Sequence, residues 1–400
     1  MLEPRQYLEK IESLRMECTG HNRARNANLK ADLNQKEINS REFASANLRQ
    51  LLPSIPMEKH ERIIDDINFN RACAELDEDN FFLLESTKIN DPDSVLESAR
   101  NKPVIFCTFH FGSYRIISPL LIRHGFNFIL PVEGKIFADQ KISFMEGSNK
   151  CQAYFHSVSQ FMVVNAEEPT AALAMARKAR AGWSLLAYID GNTGVQGSSR
   201  RDDKLLTTTL LGKTIYARKG IAFLSHFLKL PIVPVICEMT GSMQRTITFH
   251  EKIRLPDPAE TRDAYCQRAT EDLYSVLGSY LQKAPAQWLG WLDMHKYLEL
   301  DDSSDTEDNT IKVVGSDMLM EDPVDHRLML NHQRFGFIHQ DGQRILLDKE
   351  TYKLLSIPEN ITEILETYRE PVKVVASGHT QDDLYKIKQL VSMGMLSVVG

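Results

Sequence analysis

The sequence of 400 residues lacks the features that mark several common classes of protein. Its six cysteines lie far apart and form no CxxC pair, which argues against a zinc cage or a small disulfide framework. Neither a P-loop nor a GxGxxG segment is present to support nucleotide binding. No apolar run approaches the ~20 residues that span a bilayer, and the charged N-terminus has no signal-peptide core. We therefore expect a cytoplasmic protein with reduced thiols, and peripheral contact with the inner membrane stays open.

Basic residues are also outnumbered by acidic ones. The chain holds 47 Lys and Arg against 54 Asp and Glu, a formal net charge of −7. Residues 301–325 contain nine of the acids and one base, so the remaining 45 acids and 46 bases nearly balance. Such a segment buries too little apolar surface to fold, which predicts an acidic linker over 301–329. No basic recognition helix is evident elsewhere, so we expect no nucleic-acid partner.

Short apolar runs separated by helical segments predict the architecture of residues 101–300. The runs are 103–109, 126–132, 183–189 and 231–237. Their composition is typical of buried parallel strands, and the alternation with helices predicts an α/β fold with a mostly parallel sheet flanked by helices. The segment 246–254 alternates in the manner of an edge strand.

The two ends of the chain predict further units. Residues 1–100 carry apolar residues at three- and four-residue spacing, which predicts a helical N-terminal region packed on the α/β core. Within residues 330–400, RFGFIHQ and RILLDK flank Asp341-Gly342, a strong hairpin signal. Amphipathic helical runs and a short closing strand follow, so this part predicts a small winged-helix domain.

Ionisable residues follow three of the predicted strands, namely His110, Glu133 and Asp190. The carboxyl ends of parallel strands meet at one edge of a sheet, where ligands gather. A histidine beside carboxylates suits general-base activation of a hydroxyl or amine, so we predict these three residues as the catalytic group, without a metal. A structural histidine at a strand end is the alternative for His110.

A long loop rich in Gly, Ser and Thr, residues 191–211, is the second candidate site. The loop and its flank are locally basic, with Arg200, Arg201, Lys204, Lys213, Arg218 and Lys219, of which Arg200, Arg201, Lys213 and Arg218 are the predicted binding residues. Long loops in compact domains are often lids or binding loops, and these charges suit a phosphate-bearing donor or an acidic carrier protein. A solvated loop with scattered charges is the alternative.

Four segments in order resemble motifs of one family. His110-Phe-Gly-Ser-Tyr114 is similar to an HxGxW/Y turn, and residues 182–194 are similar to a strand that ends in Asp. Residues 211–234 resemble an FFG…PVVP block, and residues 287–295 resemble a closing W-x-W-x-H signature. Together these segments resemble the lipid A biosynthesis lauroyl/myristoyl acyltransferase family, within the lysophospholipid acyltransferase superfamily.

The resemblance implies transfer of a fatty acyl group from an acyl carrier protein or coenzyme A thioester to a hydroxyl or amine, without a tightly bound cofactor. The family histidine is the base, and an acidic residue five positions on orients it; here that position holds Arg115. Asp190 or Glu133 is therefore expected to orient the imidazole. Gly112, Tyr114 and Arg115, together with the basic residues of the loop, are expected to bind substrate.

The C-terminal segment carries Phe335-Gly-Phe337, Asp341-Gly342 and a closing Gly394-Met-Leu396. This pattern resembles the peptide-binding winged-helix domains of ribosomal-peptide biosynthesis, similar to the pyrroloquinoline quinone chaperone, in which a leader peptide adds a strand to a sheet edge. Three functions stay open. The chain acylates a captured precursor peptide, acylates a lipid or small natural-product intermediate, or is a non-catalytic scaffold for a peptide or carrier protein.

Overall fold

A computed structural model describes residues 1–25, 35–190, 204–299, 323–340 and 342–399 of the chain. Along these residues the α-helices are α1 (Pro4–Arg25), α2 (Gln35–Leu51), α3 (His60–Asp77), α4 (Leu83–Ser86), α5 (Val95–Ser98), α6 (Ile117–Arg123), α7 (Gly134–Phe155), α8 (Ala171–Arg180), α9 (Gly220–Leu228), α10 (Arg262–Leu281), α11 (Glu359–Thr367) and α12 (Gln381–Ser392). The strands are β1 (Lys88–Asn90), β2 (Ile105–Thr108), β3 (Phe128–Val132), β4 (Phe161–Asn165), β5 (Ser184–Tyr188), β6 (Leu205–Leu210), β7 (Lys213–Arg218), β8 (Ile232–Met239), β9 (Arg245–Phe249), β10 (Arg327–Leu330), β11 (Phe335–Gln340), β12 (Gln343–Asp348), β13 (Leu354–Leu355), β14 (Val372–Lys373) and β15 (Leu396–Val399).

The chain divides into two compact units. The first holds the described residues of Met1–Leu29 and Arg62–Glu299, and the second holds those of Lys30–Glu61 and Leu300–Gly400. The segment with α2 therefore clusters with the C-terminal part of the chain. The expectation that all of residues 1–100 pack on the α/β core is wrong for this segment.

The first unit is built on a seven-stranded sheet in the order β1-β9-β8-β2-β5-β3-β4. Strands β8, β2, β5, β3 and β4 are mutually parallel, whereas β9 is antiparallel to β8. Strand β2 is buried at all four residues because it lies between β8 and β5, as its apolar run predicts. The predicted α/β fold with a mostly parallel sheet flanked by helices is confirmed.

Two expectations about this unit need correction. Strand β9, predicted at the sheet edge, lies between β8 and the three-residue β1, because β1 adds a parallel pairing to its outer side. The predicted loop 191–211 ends in a strand: β6 pairs with β7 in a hairpin whose turn residues Leu211 and Gly212 both have positive φ. The rest of that loop, 191–203, lies outside the described residues.

The second unit has its own apolar core under two small antiparallel sheets. One sheet has the order β11-β12-β13 and the other β14-β10-β15. The predicted hairpin is confirmed, since β11 and β12 pair from Phe335 with Asp348 to Gln340 with Gln343. Side chains of α11 and α12, among them Leu365, Ile387 and Leu390, are buried in the core.

Helix α2 packs on the β11–β12 hairpin. The Asn39 amide donates to the carbonyl of His339 and accepts from its backbone N–H, at 2.6 and 2.8 Å. A Cβ on Gly336 would lie 2.0 Å from Glu42 Oε2, so this glycine permits the close approach of the helix. Glu42 also pairs with Lys349, at 2.8 Å. These contacts explain why α2 belongs to the second unit.

The predicted linker 301–329 is too long at its C-terminal end. Residues 301–322 lie outside the described residues, but 327–330 form β10, the central strand of its sheet. Leu328 and Leu330 are fully buried there. A four-residue strand with two inward leucines is a weak signal next to a long acidic run, which explains the misplaced boundary.

No helix in the described part of the chain has both the length and the apolar character required to cross a membrane.

Candidate active site

The strand register brings two of the predicted catalytic residues together. Each β2 residue pairs with the β5 residue 80 positions later, from Ile105 with Leu185 to Thr108 with Tyr188. Two residues beyond the last pair, His110 therefore lies beside Asp190. Because both strands run parallel and end at the same level, their next side chains meet at one edge of the sheet.

The carboxylate of Asp190 contacts both the side chain and the backbone N–H of His110. The imidazole Nδ1 lies 2.8 Å from Asp190 Oδ1, and the His110 backbone N–H donates to Oδ2 at 2.9 Å. A carboxylate accepts, so the imidazole proton lies on Nδ1 and the lone pair on Nε2. The side chain of Asp190 is 5% exposed, whereas that of His110 is 30% exposed. The carboxylate is enclosed and the imidazole is accessible.

Trp288 supplies another donor to the same carboxylate. Its indole Nε1 donates to Asp190 Oδ2 at 2.8 Å. The indole lies directly over Gly290, where a Cβ would come 2.1 Å from the ring. Trp291 packs edge-on against Trp288, with 5.2 Å between ring centroids. Trp288, packed between Gly290 and Trp291, thus holds Asp190 in place.

Two tyrosines flank the imidazole. The ring centroids of Tyr114 and Tyr188 lie 4.8 and 5.1 Å from that of His110. Burial is the largest effect on both phenols, and it raises the pKa of each above its ordinary value. Both side chains are therefore neutral near pH 7, and they restrict the ring of His110 without adding charge.

The turn after His110 is fixed by buried contacts. Gly112 has φ +57°, and a Cβ there would lie 2.0 Å from the Cys237 carbonyl oxygen. Its N–H donates to the Gln287 carbonyl at 2.7 Å. Gly112 is thus part of the backbone packing and is not on the cavity wall described below, contrary to its predicted contact with substrate.

Ser113 joins the turn to a buried ion pair. Its hydroxyl donates to Asp77, which forms a bidentate pair with Arg245 at 2.7 and 3.0 Å. The Tyr7 hydroxyl donates to the other oxygen of Asp77 at 2.5 Å. Asp77 and Arg245 are almost completely buried, so α1, α3 and β9 meet at this network beside the site.

Arg115 occupies the position, five residues after His110, at which the family resemblance implies an acidic residue. Its guanidinium pairs with Glu78 and donates to the Tyr114 hydroxyl at 3.3 Å. It therefore does not orient His110, and Asp190 provides the carboxylate from the neighbouring strand. Arg115 and Tyr114 both line the cavity, as their predicted contact with substrate requires.

Glu133 precedes α7, after β3 on the other side of β5. It lines the same cavity as His110, and its Oε2 is buried without a hydrogen-bond partner among the described residues. Within that part of the chain it makes no hydrogen bond to His110. The orienting role falls to Asp190, and Glu133 is a wall residue.

A cavity of about 1110 Å³ opens in front of His110. This volume exceeds the ~300–1,000 Å³ of sites that enclose drug-sized ligands. One part of the wall is apolar, with Phe81, Ile122, Leu130, Phe144, Phe161 and Met175. The wall also carries charged side chains of both signs, among them the cations Lys204, Arg218, Lys219 and Arg262 and the acids Glu78, Glu133, Glu167 and Asp263. The cavity therefore offers apolar contacts as well as cations that could bind an anionic group.

The basic residues predicted for substrate binding have different positions. Arg218, at the end of β7, lies on the cavity wall. Lys213 is exposed at the start of the same strand and is not on the wall. Arg200 and Arg201 lie outside the described residues.

Sequence reasoning assigned no site role to Trp288, Tyr188, Glu78 or Asp77. Trp288 has a usable signal, because it stands in the segment 287–295 that resembles the closing family signature. His295 of the same segment is half-buried, and desolvation lowers its pKa to about 4, so it is neutral near pH 7. In the part of the chain that the structure describes, no cluster of three or more His, Cys, Asp or Glu side chains is arranged to bind a metal.

No protein-family model matches the chain, and no curated protein matches its sequence. The chemistry of the site must therefore be argued from its geometry. A histidine that lines a large cavity and has one nitrogen held by a buried carboxylate is an arrangement that can remove a proton from a bound nucleophile.

Proposed function

We propose that the first unit is an acyltransferase in which His110 activates the acceptor for attack on a thioester. The observation that carries this proposal is the hydrogen bond from His110 to Asp190 on the wall of a large, partly apolar cavity. Because Nδ1 is engaged with the carboxylate, Nε2 can accept a proton from a nucleophile bound in the cavity.

In the proposed step, an acceptor hydroxyl or amine gives its proton to Nε2 while its heteroatom bonds to the thioester carbonyl carbon. The carbonyl electron pair moves to oxygen and returns as the C–S bond breaks. The imidazolium then protonates the departing thiolate. The products are an ester or amide and a free thiol, and no tightly bound cofactor is required.

The cations on the cavity wall support a donor that carries phosphate. Coenzyme A and acyl carrier protein both present the thioester on a phosphopantetheine arm, and Lys204, Arg218 and Lys219 line the cavity. Of the loop residues Arg200, Arg201, Lys213 and Arg218 that the sequence predicts to bind substrate, Arg218 is the one on the cavity wall among the described residues, and we assign it to this contact together with Lys204 and Lys219. The apolar wall would then hold the acyl chain.

For the second unit we propose a winged-helix fold that captures a precursor peptide as an added strand. The hairpin of β11 and β12, followed by α11, α12 and β15, supports this reading. A peptide held there is at high effective concentration for the first unit, since one chain carries both. An amine or hydroxyl of the peptide would be the acceptor.

The receiving edge in this proposal is β13. Strand β11 is the poorer choice because Asn39 already bonds the backbone of His339. Within the described residues β13 pairs with β12 alone. The carbonyl of Lys353 accepts a hydrogen bond from the backbone N–H of Asp348, the last residue of β12. Because successive residues of an antiparallel pair alternate between facing the partner strand and facing away, the backbone N–H and C=O of Leu354 point away from β12. These groups would bind the peptide backbone.

A lipid or small natural-product intermediate is the second candidate acceptor. The size of the cavity favours it, because a volume of about 1110 Å³ has room for more than a donor arm. The third candidate, a non-catalytic scaffold, rested on Arg115 at the acid position. The hydrogen bond between His110 and Asp190 weighs against it, since a degenerate site has no need to hold the imidazole.

The test mixes the purified full-length chain with an acyl-coenzyme A or acyl carrier protein and short peptides encoded beside its gene. Intact mass follows the peptide, and free thiol is measured in parallel. We expect an acyl adduct on the peptide that is lost in His110→Ala. The control is His156→Asn, an exposed histidine outside the cavity wall.

Each outcome selects one reading. Thiol release with the peptide unmodified and a lipid extract acylated supports the second acceptor. The absence of thiol release with every donor, or an unchanged rate in His110→Ala, contradicts the acyltransferase proposal.

A further inference from the structure

Helix α9 exposes an apolar face to solvent. Phe223 and Phe227, one turn apart, are 37% and 51% exposed. Their rings lie nearly parallel, with 6.4 Å between centroids and 8° between planes. On α8, which packs beside α9, Leu173 is 49% exposed. Exposed apolar groups that cluster in this way mark a surface that binds something.

Cations predominate on the two helices that carry these apolar side chains. Helix α8 carries Arg177, Lys178 and Arg180, and the capping residues of α9 are Lys219 and Lys229. These two helices with the caps of α9 contain no Asp or Glu. Five cations without an acid contrast with the net charge of −7 of the whole chain. Neighbouring acids on the segment before α10 and at its start are paired, Glu260 with Arg268 and Asp263 with Arg262.

This surface borders the cavity of the candidate active site. Phe223 is both exposed and part of the cavity wall, together with Lys219 and Leu224 of the same segment. Arg262 also lines the cavity, and its guanidinium lies 5.7 Å from the centre of the Phe223 ring. A partner on this surface would therefore lie at an opening of the cavity.

We propose that this surface, formed by Leu173, Arg177 and Arg180 of α8 with Phe223, Phe227 and Lys229 at α9, docks on an anionic lipid bilayer. Phe and Leu enter the boundary between headgroups and acyl chains, and the surrounding Lys and Arg bind anionic headgroups. An apolar substrate could then pass between bilayer and cavity without crossing water. Apart from Phe223, which also lines the cavity, the proposed acyl transfer does not use this surface, so the inference extends it.

The composition of the surface favours a bilayer over an acidic protein. Its apolar members, Leu173, Phe223 and Phe227, carry no hydrogen-bonding group. Protein interfaces also use Phe and Arg, but they commonly combine them with Tyr and Trp anchors, which this surface lacks. Lys and Arg around Phe and Leu form the pattern of a helix that lies in a membrane interface. An acidic carrier protein is therefore an outcome that the test must distinguish.

The test measures co-sedimentation of the full-length chain with phosphatidylcholine vesicles, with and without about a quarter of phosphatidylglycerol. The wild type is expected to bind the anionic vesicles and not the neutral ones. The double variant Phe223→Ser/Phe227→Ser should bind about tenfold more weakly, because it loses two inserted side chains. Arg177→Gln/Arg180→Gln should also lose about tenfold, and added salt should weaken the wild type.

The control is Val158→Ser, which removes an apolar side chain that is 93% exposed and lies outside this surface. Its binding should match the wild type, and thermal melting should show that all variants fold. The proposal fails if the wild type does not bind anionic vesicles, or if both double variants bind as it does. It also fails, in favour of protein docking, if the variants lose only the binding of an acidic acyl carrier protein. Because the readout is binding, its result is independent of thioester cleavage.

Discussion

At the scale of single residues, the site depends on which carboxylate reaches the imidazole. Arg115 stands where the resemblance implies an acid, and its charge is paired with Glu78. Asp190 meets His110 instead because parallel register aligns the ends of β2 and β5. The same contact is thus made from a different position in the sequence.

Gly290 provides a residue-scale prediction. Gly290→Ala would place a Cβ 2.1 Å from the indole of Trp288, so the ring must move and its hydrogen bond to Asp190 is strained or lost. A hydrogen bond to a charged group contributes about 1.5–3 kcal/mol, so we expect the rate of thioester cleavage to fall about tenfold to a hundredfold. The measurement is release of free thiol at saturating donor.

Gly278→Ala is the matched control, since a Cβ there meets neighbours at an ordinary 3.8 Å within α10. It should keep the wild-type rate, and its stability should rise slightly because alanine favours a helix interior. Equal rates for Gly290→Ala and the wild type would mean that Trp288 does not position Asp190.

At the scale of elements, apolar runs predict the central strands well. β2, β3, β5 and β8 lie where the runs do, because a strand buried on both faces needs a continuous apolar sequence. The sequence LLTTTL of strand β6 predicts a loop, because its threonines resemble the polar segment before it. The sequence does not predict helix α7, because few of its residues are buried and its apolar periodicity is therefore weak.

The candidate site was predictable only in part for a similar reason. The predicted strand ends identify His110, Glu133 and Asp190 as candidates. The strand order decides that Asp190 contacts His110 while Glu133 lies on the cavity wall, and the sequence alone does not give that order. Asp77 lay beyond prediction, because its partners Tyr7, Ser113 and Arg245 are brought to it only by the tertiary fold.

The network at the end of α3 gives an element-scale prediction. Asp77→Asn leaves the buried guanidinium of Arg245 without a countercharge, which should lower the free energy of unfolding of the first unit by about 3–5 kcal/mol. All three tryptophans lie in this unit, so their fluorescence during urea unfolding reports its stability.

Asp66→Asn is the control for that variant, because Asp66 pairs with Arg15 at the surface. Its loss should cost about 1 kcal/mol or less. If Asp77→Asn were as stable as Asp66→Asn, the buried pair would not hold α3 beside the site turn.

At the scale of the whole molecule, helices that are neighbours in the sequence belong to different compact units. Helix α2 stands in sequence between α1 and α3 of the first unit, yet its partners His339 and Lys349 lie about 300 residues later. Local periodicity predicts that a helix exists but not where it packs. Removing residues 301–400 would therefore strip α2 of its sheet, and tests of the acceptor should keep the full chain.

The most direct test of the account is the rate of thioester cleavage in Asp190→Asn. The His110 backbone N–H and the Trp288 indole both donate to Oδ2, so in the variant the amide oxygen takes that place and the amide NH2 faces Nδ1. The imidazole proton is then expected on Nε2, which can no longer accept one from the nucleophile. In serine proteases the equivalent change costs about a ten-thousandfold in kcat, and we expect a loss of about a thousandfold or more here. Asp139→Asn, at an exposed site on α7 away from the cavity wall, should keep the wild-type rate. A rate in Asp190→Asn within about twofold of the wild type would contradict the assignment of His110 and Asp190 as the base and the residue that positions it.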